Sequence, residues 1–238
     1  MTGATGNWYC GLHEPSDMAF VLHSLRPGDL FVDIGANIGS YTILASQAGA
    51  RVVSFEPIPS TYTRLRQNIA LNDVGHIVDA RCQGVSSQEG TLIFTCNSDT
   101  TNHVVRDEDI EDIEKCKVPV TTIDSSLQNQ VPNIIKIDVE GHESEVLKGA
   151  AKTLQSPDLR AIIMETNGSG SAYGIKDEDL VLLLESYGFR SVAYDPIHRF
   201  LTQILPNNKG NTIFVRDIEQ QQVLLKSSKK YKLINTLI

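Results

Sequence analysis

The sequence has no run of about 18 apolar residues, the length a helix needs to cross a bilayer. Residues 1–20 also lack the basic start and apolar core of a signal peptide. Cysteine is scarce: Cys10, Cys82, Cys96 and Cys116 stand far apart, with no CxxC pair and no histidine at zinc-finger spacing. Free thiols are the expectation, and a Cys82–Cys96 hairpin bridge is the alternative that a reducing compartment disfavours. A basic surplus is missing as well. Lys and Arg number 21 against 29 Asp and Glu, a net charge of −8, which argues against nucleic-acid binding driven by counterion release. These absences point to a cytoplasmic protein with no membrane span and no nucleic-acid partner. The lysines near the end, Lys226, Lys229, Lys230 and Lys232, read as a solvated terminus.

What is present is an ordinary globular composition, 41 % hydrophobic and 21 % charged over 238 residues. That length suits one large domain spanning 1–238. Short apolar runs alternate with helical periodicity. Leu30–Ile34 reads as a buried strand, followed by a helix over Ile38–Ala48 that stops at Gly49. Arg51–Phe55, His76–Arg81, Asn133–Asp138 and Arg160–Met164 read as further strands. Ser60–Leu71, Glu143–Leu154 and Asp177–Tyr187 read as helices. Ser191–Tyr194 and Asn211–Val215 are expected to close the sheet. The stretch 84–124 breaks this rhythm, with strands at Thr91–Thr95 and Val118–Thr122 around a charged connection at Asp107–Lys117. It is taken as an excursion at one sheet edge, with 1–27 as an N-terminal cover and 217–238 as a tail. The alternation predicts an α/β fold, doubly wound around a mostly parallel sheet.

In such sheets ligands bind beyond the carboxyl ends of the strands, where strand order reverses. The first strand runs into Asp33-Ile34-Gly35-Ala36-Asn37-Ile38-Gly39, with Gly35 suited to a tight turn and Gly39 to close helix packing. Glu56 follows Gly35 by 21 residues, where a ribose-binding carboxylate is expected. Asp33 would repel a pyrophosphate, and Asn37 replaces the middle glycine that a dinucleotide loop requires. A cationic cofactor, S-adenosylmethionine, suits the loop better than NAD. The readings kept open beside methyl transfer are an NAD-dependent oxidoreductase and a non-catalytic protein that binds S-adenosylmethionine.

The segment Asp33 to Gly39, then Phe55-Glu56-Pro57, then Lys136-Ile137-Asp138-Val139-Glu140-Gly141 resembles the FkbM-type S-adenosylmethionine-dependent methyltransferases. The resemblance implies a class I, Rossmann-like fold of seven strands with the last antiparallel. It also implies O-methylation of a sugar, glycan or natural-product hydroxyl. Carried over, Asp33, Gly35, Asn37 and Gly39 form the methionine-side loop and Glu56 accepts both ribose hydroxyls. Gln83 falls at the adenine position, where many class I enzymes place Asp or Asn.

Asp138, at the end of the fourth strand, is followed by Glu140, His142 and Glu143. Methylating an alcohol requires its proton to leave, so Asp138, Glu140 and His142 are the candidate bases, with His142 best matched in intrinsic pKa. Glu143 reads as a helix-start residue favoured by the dipole. A Mg²⁺ variant would draw Asp138, Glu165 and Asn167 together as oxygen ligands. The loop Thr166–Gly174 could serve as a lid. Trp8, Tyr9, Leu12 and His13 could cover the cofactor or the acceptor, with packing on the body as the alternative. Asn211 could reach the substrate side, or simply bond at its strand end.

Overall fold

Two strands buried at every residue, Leu30–Ile34 and Ile134–Ile137, form the middle of the sheet, as expected where helices cover both faces. The computed structural model describes residues 12–96, 102–105, 114–205, 210–232 and 238. In chain order the elements are α1 (Pro15–Ser24), β1 (Leu30–Ile34), α2 (Ser40–Gln47), β2 (Arg51–Phe55), α3 (Pro59–Leu71) and β3 (Val78–Arg81). The chain then forms β4 (Gly84–Val85), β5 (Gly90–Thr95), β6 (Lys115–Thr121), the short α4 (Ile123–Ser126) and β7 (Ile134–Ile137). It continues through α5 (Glu143–Lys148), α6 (Ala151–Gln155), β8 (Ala161–Thr166), a 3-10 turn (Ser169–Tyr173) and α7 (Asp177–Ser186). It ends with β9 (Arg190–Asp195), β10 (Phe200–Gln203), β11 (Gly210–Val215) and α8 (Ile218–Ser227).

The main sheet has eight strands in the order β10-β9-β11-β8-β7-β1-β2-β3. β3, β2, β1, β7 and β8 run parallel, while β11 inserts antiparallel between β8 and β9. The antiparallel last strand is as expected. The eighth strand, β10, is an addition: it forms a hairpin with β9, and only Leu201 of its four residues is buried, which leaves little periodic signal. One face of the sheet is covered by α1, α2 and α8, with Phe20, Phe31, Ala45 and Leu225 in the packed layer. The other is covered by α5, α6 and α7 through Val146, Leu154, Leu184 and Phe189. β4, β6 and β5 make a separate three-stranded sheet. Among the described residues, no helix is long and apolar enough to cross a membrane.

Three expectations need correction. The helix expected over 143–154 is two helices. A side-chain carbon at Gly149 would stand 2.1 Å from the Ser86 carbonyl oxygen, so the chain breaks there to let two backbones pass. Asp124 then accepts the amides of Lys152 and Thr153 and starts the second helix. The segment 217–238 is not merely a tail, because α8 buries Gln221 and Leu225 against α1. Its lysines do remain exposed. Lys115–Lys117, expected in a connection, already pair within β6. Cys82, Cys96 and Cys116 are free thiols. Cys10, Trp8, Tyr9 and the start of the charged connection lie outside the described residues.

Arg216, just past β11, ties three elements together. Its guanidinium donates to the carbonyls of Leu154, Leu159 and Tyr187 and lies 4.3 Å from the centroid of the Phe189 ring. Removing a charged donor leaves those carbonyls without partners. Arg216→Ala should lower the unfolding free energy in urea by about 2 kcal/mol. Arg216→Lys should lose nearly as much, since one ammonium does not reproduce a planar fork. Unchanged urea midpoints would show the clamp to be dispensable.

Candidate active site

Strand order reverses between β1 and β7, and a cleft of about 280 Å³ opens beyond their carboxyl ends. Its first wall is the turn after β1. The amides of Gly35 and Ala36 donate to the Phe55 carbonyl, holding the turn against β2. Gly35 has φ +78°, and a side-chain carbon there would stand 1.8 Å from the Asp138 carbonyl oxygen, so only glycine fits. Asn37 is also left-handed, at φ 51°, and its Oδ1 accepts the Ile38 amide. Gly39 closes the turn at φ +94°, packed so near Leu65 that a larger residue would displace that side chain.

Glu56 stands at the end of β2 and is buried, 5 % exposed. Each carboxylate oxygen accepts one amide at 2.9 Å, Oε2 from Asn37 and Oε1 from Ile58. Burial raises its pKa to about 7 against the pull of these two amides, with the nearby Asp33 and Asp138 adding to the rise. The carboxylate is therefore clamped, with lone pairs left over for a diol. Beyond it lie Ile58, Gln83, Val85 and Phe94, a mostly apolar end suited to a flat aromatic base.

Asp33 occupies a deeper position than a direct ligand would. It is 2 % exposed and accepts a 2.6 Å hydrogen bond from Thr42, which also contacts Ser54. Burial lifts its pKa to about 6. It borders the cleft from beneath the turn.

The opposite end is acidic. Oxygens of Asp138, Glu140 and Glu165, all half-buried, lie within 4.8 Å of one another. Glu140 adopts φ 53°. Glu165 keeps a buried Oε2 with no hydrogen-bond partner. Burial first, then the charges of Asp138, Glu140 and Glu143, push its pKa up to about 8. Asn167 does not join them: it is exposed, outside the cleft lining, and its Oδ1 accepts the Ser169 amide. Glu143 supports the turn from inside, accepting the amides of Val139 and Gly141 at 3.3 and 3.2 Å. His142 borders the cleft with Nε2 3.0 Å from Ser86 Oγ. Burial lowers its pKa, which keeps the imidazole neutral at physiological pH.

The 3-10 turn inside Thr166–Gly174 crosses toward the small sheet. Tyr173 donates to the Val104 carbonyl at 2.6 Å and sets its ring edge-on to His142. From the N-terminal side His13 and Glu14 reach the cleft, whereas Leu12 packs in the core. Asn211 bonds the half-buried carboxyl of Asp17. Residues not anticipated from sequence are Lys136, Tyr41 and Glu14. Tyr41 donates to Glu14 Oε2 at 2.5 Å, and Lys136 lies 2.7 Å from Asp138. A lysine inside Ile-Ile-Lys-Ile was the one legible signal among them.

Several known proteins resemble this chain. Hexuronic acid methyltransferase AglP of Haloferax volcanii is 32 % identical over 173 residues, 72 % of this chain and 67 % of that one. The 31-O-demethyl-FK506 methyltransferase FkbM of Streptomyces tacrolimicus is 28 % identical, covering 76 % of this chain and 82 % of its own. Among solved structures, a methyltransferase FkbM from Methylobacillus flagellatus superposes with TM-score 0.52 at 16 % identity, over 80 % of this chain and 44 % of that one. A precorrin-6Y C5,15-methyltransferase from Geobacter metallireducens gives 0.51 at 15 %, over 90 % and 92 %. Those two likenesses establish a class I methyltransferase fold. Residues 33–191, which carry the turn, Glu56 and the acidic strand ends, match the methyltransferase FkbM domain, and the chain belongs to that family of methyltransferases.

Proposed function

We propose that the chain, read as one methyltransferase domain, transfers the methyl group of S-adenosylmethionine to a hydroxyl of a sugar, glycan or natural-product acceptor. The observation that carries this reading is the polarity of the cleft. A clamped carboxylate, Glu56, and an apolar end stand on one side, and the cluster Asp138, Glu140 and Glu165 stands on the other. Ribose hydroxyls donate, which suits Glu56, and an apolar slot beside Gln83 and Phe94 suits adenine. The negative field of Asp33 and the cluster suits a sulfonium and an ammonium. The same field disfavours NAD, as does membership of a methyltransferase family.

When bound, the cofactor supplies an already activated methyl carbon. The chain's part is to hold the acceptor oxygen close, exclude water and accept one proton. His142 takes that proton on this reading, because its imidazole is neutral and faces the cleft, with Ser86 fixing the ring. Asp138 and Glu140 orient the acceptor hydroxyls as hydrogen-bond acceptors. The acceptor side is framed by Glu14, Tyr173 and the segment 102–105. Two relatives named for a hexuronic acid and for a natural product support a small hydroxylated acceptor.

Calorimetric titration should show binding of S-adenosylmethionine and of its demethylated product, and none of NAD. No heat with the first two would overturn the reading. Glu56→Gln should weaken cofactor binding about 10–100-fold, and unchanged affinity would remove Glu56 from the site. Ribose donors favour the ionised form of Glu56, so binding releases a proton where the free carboxyl is still protonated. Product affinity should therefore rise from about pH 6 to about pH 7.5, with heats that depend on the buffer's ionisation enthalpy. A flat profile would contradict this linkage. With a radiolabelled methyl donor and a panel of sugars and polyketides, His142→Ala should lower turnover about 10²–10⁴-fold while leaving cofactor affinity within a few-fold. Normal turnover in both His142→Ala and Glu140→Gln would refute the base assignment, and binding without turnover on any acceptor would favour a non-catalytic role.

A further inference from the structure

Lys136 is 3 % exposed in a strand whose other residues are all isoleucine. Its Nζ donates to Asp138 Oδ2 at 2.7 Å and sits 4.9 Å from the centroid of the Tyr41 ring. An ammonium in that setting is expensive to desolvate, and an apolar residue of similar volume would serve packing as well or better. Its burial calls for a reason beyond the core.

The reason lies in what surrounds it. Asp33 of β1, Asp138 at the end of β7 and Glu14 before α1 all act on the ammonium. Its charge is felt in turn by Asp17 of α1 and Glu165 of β8. Burial alone would drive the lysine toward neutrality, yet Asp138, Glu14 and Asp33 together more than compensate and hold its pKa above the ordinary lysine value. Lys136 is the one lysine or arginine among the described residues that line the cleft. Three carboxylates within 4.8 Å ordinarily invite a divalent cation. Here an ammonium already occupies one oxygen of the trio from below.

We propose that Lys136 is a positioning residue that supplies, from inside the chain, the positive charge a divalent cation would bring to Asp138, Glu140 and Glu165, and that it fixes Asp138 toward the cleft. The ammonium is a point charge with three donors; one is used on Asp138, and its face toward Tyr41 is held by the ring. The cluster is thereby neutralised in part without a site that must be loaded. The charge role stands on this geometry alone; only the meaning of Asp138's aim rests on the methyl-transfer reading.

The test uses Mn²⁺ as a probe, followed by electron paramagnetic resonance and by thermal shift, on the full chain. Wild type should bind Mn²⁺ no more tightly than the millimolar range. Lys136→Met, which removes one positive charge beside three negative ones, should bind it at least about tenfold more tightly and gain thermal stability as Mn²⁺ is added. Lys136→Arg, which keeps the charge, should behave as wild type does. Micromolar Mn²⁺ binding by wild type would overturn the proposal, and so would a Lys136→Met protein with wild-type affinity. Should Lys136→Met not fold, as judged by circular dichroism, the wild-type titration still decides. A parallel titration of each protein with S-adenosylmethionine separates the two readings. No cofactor binding by wild type with the expected Mn²⁺ pattern would sink the proposed function alone, and wild-type cofactor binding without that pattern would sink this inference alone.

Discussion

The close approach of the turn after β1 to the end of β7 is the constraint on which the rest of the site depends. Gly35 leaves no room for even one side-chain carbon below the Asp138 carbonyl, and the Asp138 amide donates to Ile34 just beneath. These contacts press the two turns together at the point where strand order reverses. The turns then diverge to opposite sides and leave a cleft between them. Pinning the Gly35 and Ala36 amides to β2 sets where Asn37 falls, and the Asn37 amide in turn clamps Glu56. A glycine in one strand end thus fixes a carboxylate on another. Widening that contact would misplace both ends of the site together, which is how small errors of position become large losses in rate.

The electrostatics follow from the same compression. Carboxylates that would repel one another in water are gathered on a few strand ends, and burial lifts Asp33, Glu56 and Glu165 toward neutral pH. Protons, backbone amides and Lys136 share the work of keeping the cluster tolerable. This is a concentration of negative charge that a cationic ligand would relieve. The net charge of −8 is therefore not only a surface property, since part of the acidic count sits where a sulfonium would need it.

Much of this architecture was legible in the sequence, for physical reasons. β1 and β2 are buried nearly throughout, so their limits coincide with the apolar runs that mark them. The turn was legible because glycine and asparagine at 35, 37 and 39 serve positive φ, a demand local to the backbone. What escaped depends on distant partners. The break at Gly149 exists because Ser86 passes close by, and no helical period records that. α1, α8 and β10 stabilise one another at a sheet edge, through the Leu201 amide donating to Gln222 Oε1 and Gln221 Nε2 donating to Ser24 Oγ; their individual patterns are mixed. Glu165 was visible as an acid at a strand end, but its orphaned oxygen was not. Asn167, equally plausible by position, turns away because the Ser169 amide takes its oxygen first.

On the proposed reading, acceptor choice is a matter of what these locked turns leave free. The cofactor side is built from turns locked to the sheet, whereas the other wall is assembled from three separate excursions: the start of α1, the small sheet with segment 102–105, and the 3-10 turn. Tyr173 donates to Val104 between two of them, and Tyr41 of α2 holds Glu14 at the start of α1. The small sheet carries its own backbone pairing, β5 with β6, and its own apolar cluster of Phe94, Val118 and Val120 with Ile58. On the proposed reading the buried half of the cleft would fix the chemistry, and the wall of excursions would set which hydroxyl receives the methyl group.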